Sequence, residues 1–173
     1  MNEVLNCLET RRSVRKYLPK QIADAELNAI LEAGIYAPTA MGRQSPKIVV
    51  LQKPEDVAEL ERMNAAVLGN PDSHPFYAAP TVLVVLADAK AGTAVEDGSL
   101  VLGNLMNAAH ALGVGSCWIH RAREEFASDE GKALLKRWGI EGDWVGVGHC
   151  ILGYAAEPAA PAKPRKADYI VRV

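Results

Sequence analysis

Cysteine is sparse in this chain, and its spacing is unhelpful to metal or disulfide chemistry. The 173 residues hold three, Cys7, Cys117 and Cys150. They form no CxxC pair, their number is odd, and as small buried hydrophobes they suit a reducing cytoplasm. Long apolar runs are also missing: the longest purely aliphatic stretch, Val82 to Ala87, is far too short to span a bilayer. Met1 to Thr10 is too polar for a secretory h-region. No strong charge excess exists, since 19 basic residues face 21 acidic ones, a net −2. That balance argues against a nucleic-acid or membrane-surface protein, which would carry a broad basic face.

Catalytic signatures are equally scarce. No GxSxG or HExxH occurs. "GVGSCW" at 113–118 follows a helical pattern and leads into a strand, the reverse of a dinucleotide fingerprint. "EGKAL" at 130–134 lacks Walker spacing. His74, His110, His120 and His149 fall singly in four elements, which gives a metal site little support; His120 is the most interesting of them.

What is present is a chain of one domain, 1–173, with about half its residues apolar. Val4, Leu5 and Leu8 make a short helical stripe after Asn2, a plausible N-cap. "DAELNAILEAGIYAP" predicts a helix capped by Asp24, with Leu27, Ile30, Leu31 and Gly34 on one face and its end before Pro38. "KIVVLQ" and "TVLVVLAD" read as buried strands, and Pro54 opens a helix to about Leu68. "VEDGSLVLGNLMNAAHALG" is apolar on nearly every side, so it belongs at the centre of a core or in a subunit interface. "SCWIH" reads as a strand, 124–138 as one polar helix, and "WVGVGHCILG" as a strand whose glycines weaken it or allow close packing. The tail is Ala/Pro-rich, then basic, then β-like. The fold class expected is α+β, a mixed central β-sheet flanked by helices.

Against the acidic balance, one stretch concentrates positive charge. Arg11, Arg12, Arg15, Lys16 and Lys20 fall within ten residues. Lys16 and Lys20 read as solvated surface. Arg11, Ser13 and Arg15 alternate, so an extended backbone would point them one way. Two guanidiniums and a hydroxyl suit a phosphate. "KPR" in the tail repeats the alternation with Lys163 and Arg165. The two segments form one anion site if the chain ends meet.

"ETRRSVRKYLPKQI", "APTAMGRQSP", "HALGVGSCWI" and "GYAAEPAAPAKPR" together resemble the nitroreductase family of flavin-dependent oxidoreductases, in order and over nearly the whole chain. The resemblance implies FMN, NADH or NADPH as electron donor, and a homodimer with two flavins at the subunit interface. It implies a C-terminal extension, 155–173, exchanged onto the partner. It places Arg11, Arg12, Ser13 and Arg15 on the flavin, with Arg11 and Ser13 at the phosphate and Arg15 at the pyrimidine edge near N1 and O2. Lys163 and Arg165 match the tail pair that closes on the phosphate. Pro38, Thr39 and Ala40 match a segment packing on the flavin from the partner subunit, with Gln44 as that loop's polar residue. Trp118, Ile119 and His120 match the strand passing the isoalloxazine, and Asp97 falls where a polar contact is common. Ala40 lacks the usual hydroxyl, Gly42 stands where Asn is common, and Ser45-Pro46 replaces Pro-Trp. The segment 69–80 offers no recognisable flavin contact. The function implied is hydride transfer from NAD(P)H through flavin N5 to a nitroaromatic, quinone or similar planar acceptor, in ping-pong fashion, with no protein nucleophile. Cofactor motifs do not separate this from ene reduction, dehalogenation or flavin cleavage on the same fold, nor from a non-enzymatic flavin carrier.

Overall fold

The computed structural model describes residues 2–173. Its elements run α1 (Glu3–Thr10), α2 (Asp24–Ile35), β1 (Pro46–Leu51), α3 (Pro54–Leu68), β2 (Thr81–Asp88), α4 (Ala94–Ala111), β3 (Gly115–Ile119), α5 (Ala122–Ala127), α6 (Asp129–Arg137) and β4 (Trp144–Gly153). The strands form one sheet in the order β1-β2-β4-β3, and each of the three pairings is antiparallel. The parallel component of the expected mixed sheet is a single bridge, Ser13 to Ser116, outside the named strands.

Two helical layers cover the sheet, and strand alternation sorts the residues between them. Leu83, Val85, Cys150 and Leu152 face one layer, with Ile30 of α2 and Leu102, Leu105 and Ala109 of α4. Val82, Val84, Leu86 and Ile151 face the other, with Leu60 and Met63 of α3, Phe126 of α5 and Leu134 of α6. The all-round apolar α4 is thereby explained largely within one chain. Leu105 is fully buried in the core, so it faces no partner, while Leu100 and Leu112 stay exposed.

Several local expectations change. Asn2 does cap α1, accepting Val4 N–H at 2.9 Å. Asp24 does not cap α2: the N-cap is Ala23, whose N–H is taken by Glu26 at 2.9 Å. The single polar helix over 124–138 is two helices. Ser128 adopts an extended backbone between them; its hydroxyl donates to the Glu125 carbonyl and accepts the Gly131 N–H, ending α5 and capping α6. In β4 the glycines serve close packing. A Cβ at Gly146 would lie 2.1 Å from the Ala122 carbonyl oxygen, and one at Gly148 would lie 2.9 Å from the Trp118 ring. The tail forms no β-strand; beyond an isolated bridge at Ala155, residues 156–173 are exposed and irregular.

Candidate functional site

The basic segment is extended, as its alternation requires, and it is clamped along a sheet edge. Val14 N–H donates to Ser116 O on β3, Leu18 N–H to Tyr154 O, and Ala156 N–H to Lys16 O. Tyr17 Oη donates to the Val14 carbonyl at 2.7 Å. Val14 turns into the core, which leaves the neighbouring Ser13 and Arg15 on the outward side. Both line a groove of about 230 Å³ shared with Lys16 and the start of the tail at Glu157 to Ala160. Arg15 also lines a second cavity, of about 490 Å³, with Trp118, Ile119, His120, Arg121, His74 and Tyr77 among its other walls. The structure thus brings Arg15, Trp118, Ile119 and His120 to one cavity and places Ser13 in the groove that shares Arg15 with it.

Arg11 behaves differently. Its Nη1 is buried and has no hydrogen-bond partner. Burial first, then the charges of Arg11 and Arg12, hold the His110 pKa below its ordinary value. His110 Nε2 meets the Thr10 hydroxyl at 2.9 Å. The charges of Arg11 and Arg12 thus act on His110 where α1 ends beside α4. Arg12 is partly spent on the backbone, donating to the carbonyls of Glu9 and Arg11. Lys16 pairs with Glu157 at 2.8 Å on the surface, and Lys20 lies 4.9 Å from the Tyr154 ring centre.

Three groups of expected site residues lie elsewhere. Thr39 and Gln44 line a separate cavity of about 310 Å³ with Leu31, Ile35 and Ile48. Pro38 precedes that loop and is exposed; Ala40 opens the short 3-10 turn Ala40–Gly42 within it. The loop carries Met41 (φ 55°) and Gln44 (φ 53°) in the left-handed region, a costly conformation for residues with a side chain. Asp97 holds it there. Its carboxylate accepts Ala40 N–H at 3.0 Å, Ser45 Oγ at 2.9 Å and Thr93 Oγ1 at 3.2 Å. Burial pushes its pKa upward, but those three donors win and the carboxyl sits below its usual range. Asp97, placed in a cofactor contact by resemblance, accepts from the loop and from Thr93 in this chain. Lys163 and Arg165 stand on the exposed tail, and no described hydrogen bond or ion pair joins either to Arg11 or Arg15.

Other contributors escaped the sequence reading. His74 and Tyr77 come from the proline-rich loop before β2, which has no periodicity to betray it; Glu61 accepts Phe76 N–H at 2.8 Å and approaches His74 Nδ1 at 3.3 Å. Behind Arg121 lies a buried polar chain. Asn64 Oδ1 accepts from Arg121 Nε at 3.0 Å, and Asn64 Nδ2 donates to the His120 carbonyl at 2.8 Å and to Glu125. Glu125 Oε2 meets His149 Nε2 at 2.6 Å. Only the single polar residue in the apolar run of α3 could have hinted at Asn64. Among the described residues, no group of three or more His, Cys, Asp and Glu is arranged to hold a metal ion, and no helix is long and apolar enough to cross a membrane.

Comparison with known proteins adds a lineage to this geometry. Residues 8–154 match the model of the nitroreductase family. A nitroreductase of Bacteroides fragilis, solved with bound FMN, superposes with a TM-score of 0.91 at 34% identity, covering 100% of both chains. An Archaeoglobus fulgidus protein named "Putative NADH dehydrogenase/NAD(P)H nitroreductase" is 32% identical over 159 residues, 89% of this chain and 86% of its own length. A Methanothermobacter thermautotrophicus protein of the same name is 29% identical over 124 residues, 67% of this chain; the match spans only 60% of that relative.

Proposed function

The chain belongs to the nitroreductase family, and from that premise we propose that it is an FMN-dependent oxidoreductase using NAD(P)H and working as a homodimer in the cytoplasm. The observation that carries the cofactor reading is Arg11 Nη1, a buried cationic donor with no acceptor. Arg11 as a whole is half-buried; a shielded donor left without a partner is costly, and a terminal phosphate meeting the guanidinium would satisfy it through charge-assisted hydrogen bonds. The fit is to FMN; no dinucleotide fingerprint exists to hold an adenosine. Bound FMN would supply the redox chemistry, taking hydride from NAD(P)H at N5 and passing two electrons to a nitroaromatic, quinone or similar planar acceptor by a ping-pong course.

The chain's own residues bind, orient and tune. Arg11 and Ser13 would hold the phosphate, with Arg12 and the tail pair Lys163 and Arg165 adding charge. Arg15, shared between groove and cavity, would lie at the pyrimidine edge and favour negative charge there. Trp118, Ile119 and His120 would wall the ring. None of Pro38, Thr39, Ala40 and Gln44 lines this cavity in its own chain, and Thr39 and Gln44 line a different one, which supports their serving a second subunit. Met41, 85% exposed and left-handed, suits a loop completed by a partner. Tyr169, Ile170 and Val171 are apolar and exposed on the tail, as an arm lying on a partner would be.

Heat-released cofactor identified by mass spectrometry tests the reading, together with anaerobic mixing of the holoprotein with NADH and NADPH. FMN, bleached by at least one of them, is the expected result. FAD or a colourless protein would refute the cofactor; FMN that neither donor reduces would favour a flavin carrier.

A further inference from the structure

The cavity that Arg15 enters has an unbalanced wall. Arg15, His74, His120 and Arg121 line it, and no aspartate or glutamate does. Arg121 is the unusual member. Its backbone lies in the left-handed region at φ 83°, which a side chain makes costly, so the surroundings must impose it. They do so from both directions. Glu125 N–H bonds the Arg121 carbonyl at 3.0 Å, starting α5. Asn64, wholly buried, grips the preceding carbonyl of His120 and the Arg121 Nε together. Glu125 and His149 fix Asn64 from behind.

The consequence is an oriented cation. With Nε held by Asn64, the guanidinium keeps little of the freedom of a surface arginine, and its two Nη groups have no partner among the described residues. Such a fork matches a carboxylate bidentately. Trp118, Ile119 and His120 in the same cavity would wall the flavin ring, so Arg121, which follows them in the chain, borders the space beside the ring where an acceptor would lie.

We propose that Arg121, oriented by Asn64, is an anion subsite that selects planar acceptors bearing a carboxylate. This rests on the flavoenzyme reading and gives its acceptor a chemical class. The reaction stays balanced without a further reactant: a nitro group takes two electrons and two protons, becoming a nitroso group and water, as NAD(P)H and one solvent proton are consumed.

The test uses holoprotein whose flavin has been photoreduced anaerobically, so that the donor step is bypassed. It is mixed with 4-nitrobenzoate or with 4-nitrobenzamide, its neutral analogue, and reoxidation is followed. Arg121→Gln should slow reoxidation by 4-nitrobenzoate by about ten- to a hundredfold and leave 4-nitrobenzamide within about twofold. Arg121→Asn, whose side chain tolerates the left-handed backbone, should do the same, and Arg121→Lys should restore part of the rate. Equal losses for both acceptors would show a role in shaping the turn only and overturn the proposal, as would no change with either. Anaerobic reduction of the oxidised holoprotein is followed in parallel with NADH and with NADPH; a loss in the variant confined to NADPH there, with both acceptors unaffected, would assign the anion to the donor's phosphate and overturn the acceptor class. A colourless protein would bring down this proposal and the flavoenzyme reading together; a coloured one with unselective acceptors would bring down this proposal alone.

Discussion

Besides the Tyr77–Ala78 turn before β2, two irregular segments hold left-handed, non-glycine residues, and each of these two is fastened by one buried polar side chain. The loop after α2 carries Met41 and Gln44 and hangs on Asp97. The turn after β3 carries Arg121 and hangs on Asn64. Their anchors differ in kind. Asp97 is a single charge satisfied by three neutral donors. Asn64 is neutral and sits at the head of a chain that continues through Glu125 to His149. The loop exposes Met41 at its tip while Thr39 and Gln44 line one cavity; the turn lines another. A segment proposed to be completed by another chain can hang on one side chain, whereas one proposed to aim a guanidinium within a cavity is braced in depth.

Removing the anchors should expose that difference. Asn64→Leu strips Glu125 of a buried hydrogen-bond donor as well as freeing Arg121, and losing a hydrogen bond to a buried charged group costs about 1.5–3 kcal/mol. Urea unfolding should show a loss of that order; a change under about 1 kcal/mol would mean that the chain behind Arg121 is not a brace. Asp97→Asn keeps the shape and removes the charge. It should cost about 1–2 kcal/mol and weaken FMN by about tenfold, since the loop is proposed to complete the partner's site. Unaltered FMN affinity beside altered stability would detach the loop from the cofactor.

The same anchor gives the loop a pH limit. The Asp97 carboxyl is held below its usual value of 3.8. Its contribution is therefore complete above that value and is lost as pH falls beneath it, through the lowered folded pKa. The smallest expected effect is at His110. Burial, then Arg11 and Arg12, depress its pKa, so an anion bound by Arg11 should relax part of that depression. An NMR titration of the His110 ring, with and without FMN, should show its pKa rising on binding; a fall would place the phosphate elsewhere.

The elements that bury a periodic face were legible in sequence. Pro54 to Leu68 and "TVLVVLAD" coincide with α3 and β2 because proline at N1 and an unbroken apolar run leave few alternatives. The break at Ser128 was not legible, since a serine within a polar helical pattern reads as surface until its hydroxyl is seen to serve both helix ends. In the site, the Arg11–Ser13–Arg15 alternation implied one shared direction if the segment were extended, and the segment is extended. It did not reveal that Arg11 turns inward, because side-chain direction depends on the neighbouring α4. Asn64 and Arg121 were invisible for a related reason: 57 residues separate them, and each taken alone is an ordinary polar residue.

The central claim is that the opening basic segment is built for a phosphate. Affinities of apoprotein for FMN and for riboflavin, which lacks the phosphate, test it most directly when measured for the parent and for Arg11→Ala. Losing one charge-assisted hydrogen bond is worth roughly 1.5–3 kcal/mol. FMN should therefore bind about ten- to a hundredfold more weakly to the variant, while riboflavin changes little. Equal losses for both ligands would contradict the account and make Arg11 a support of the fold.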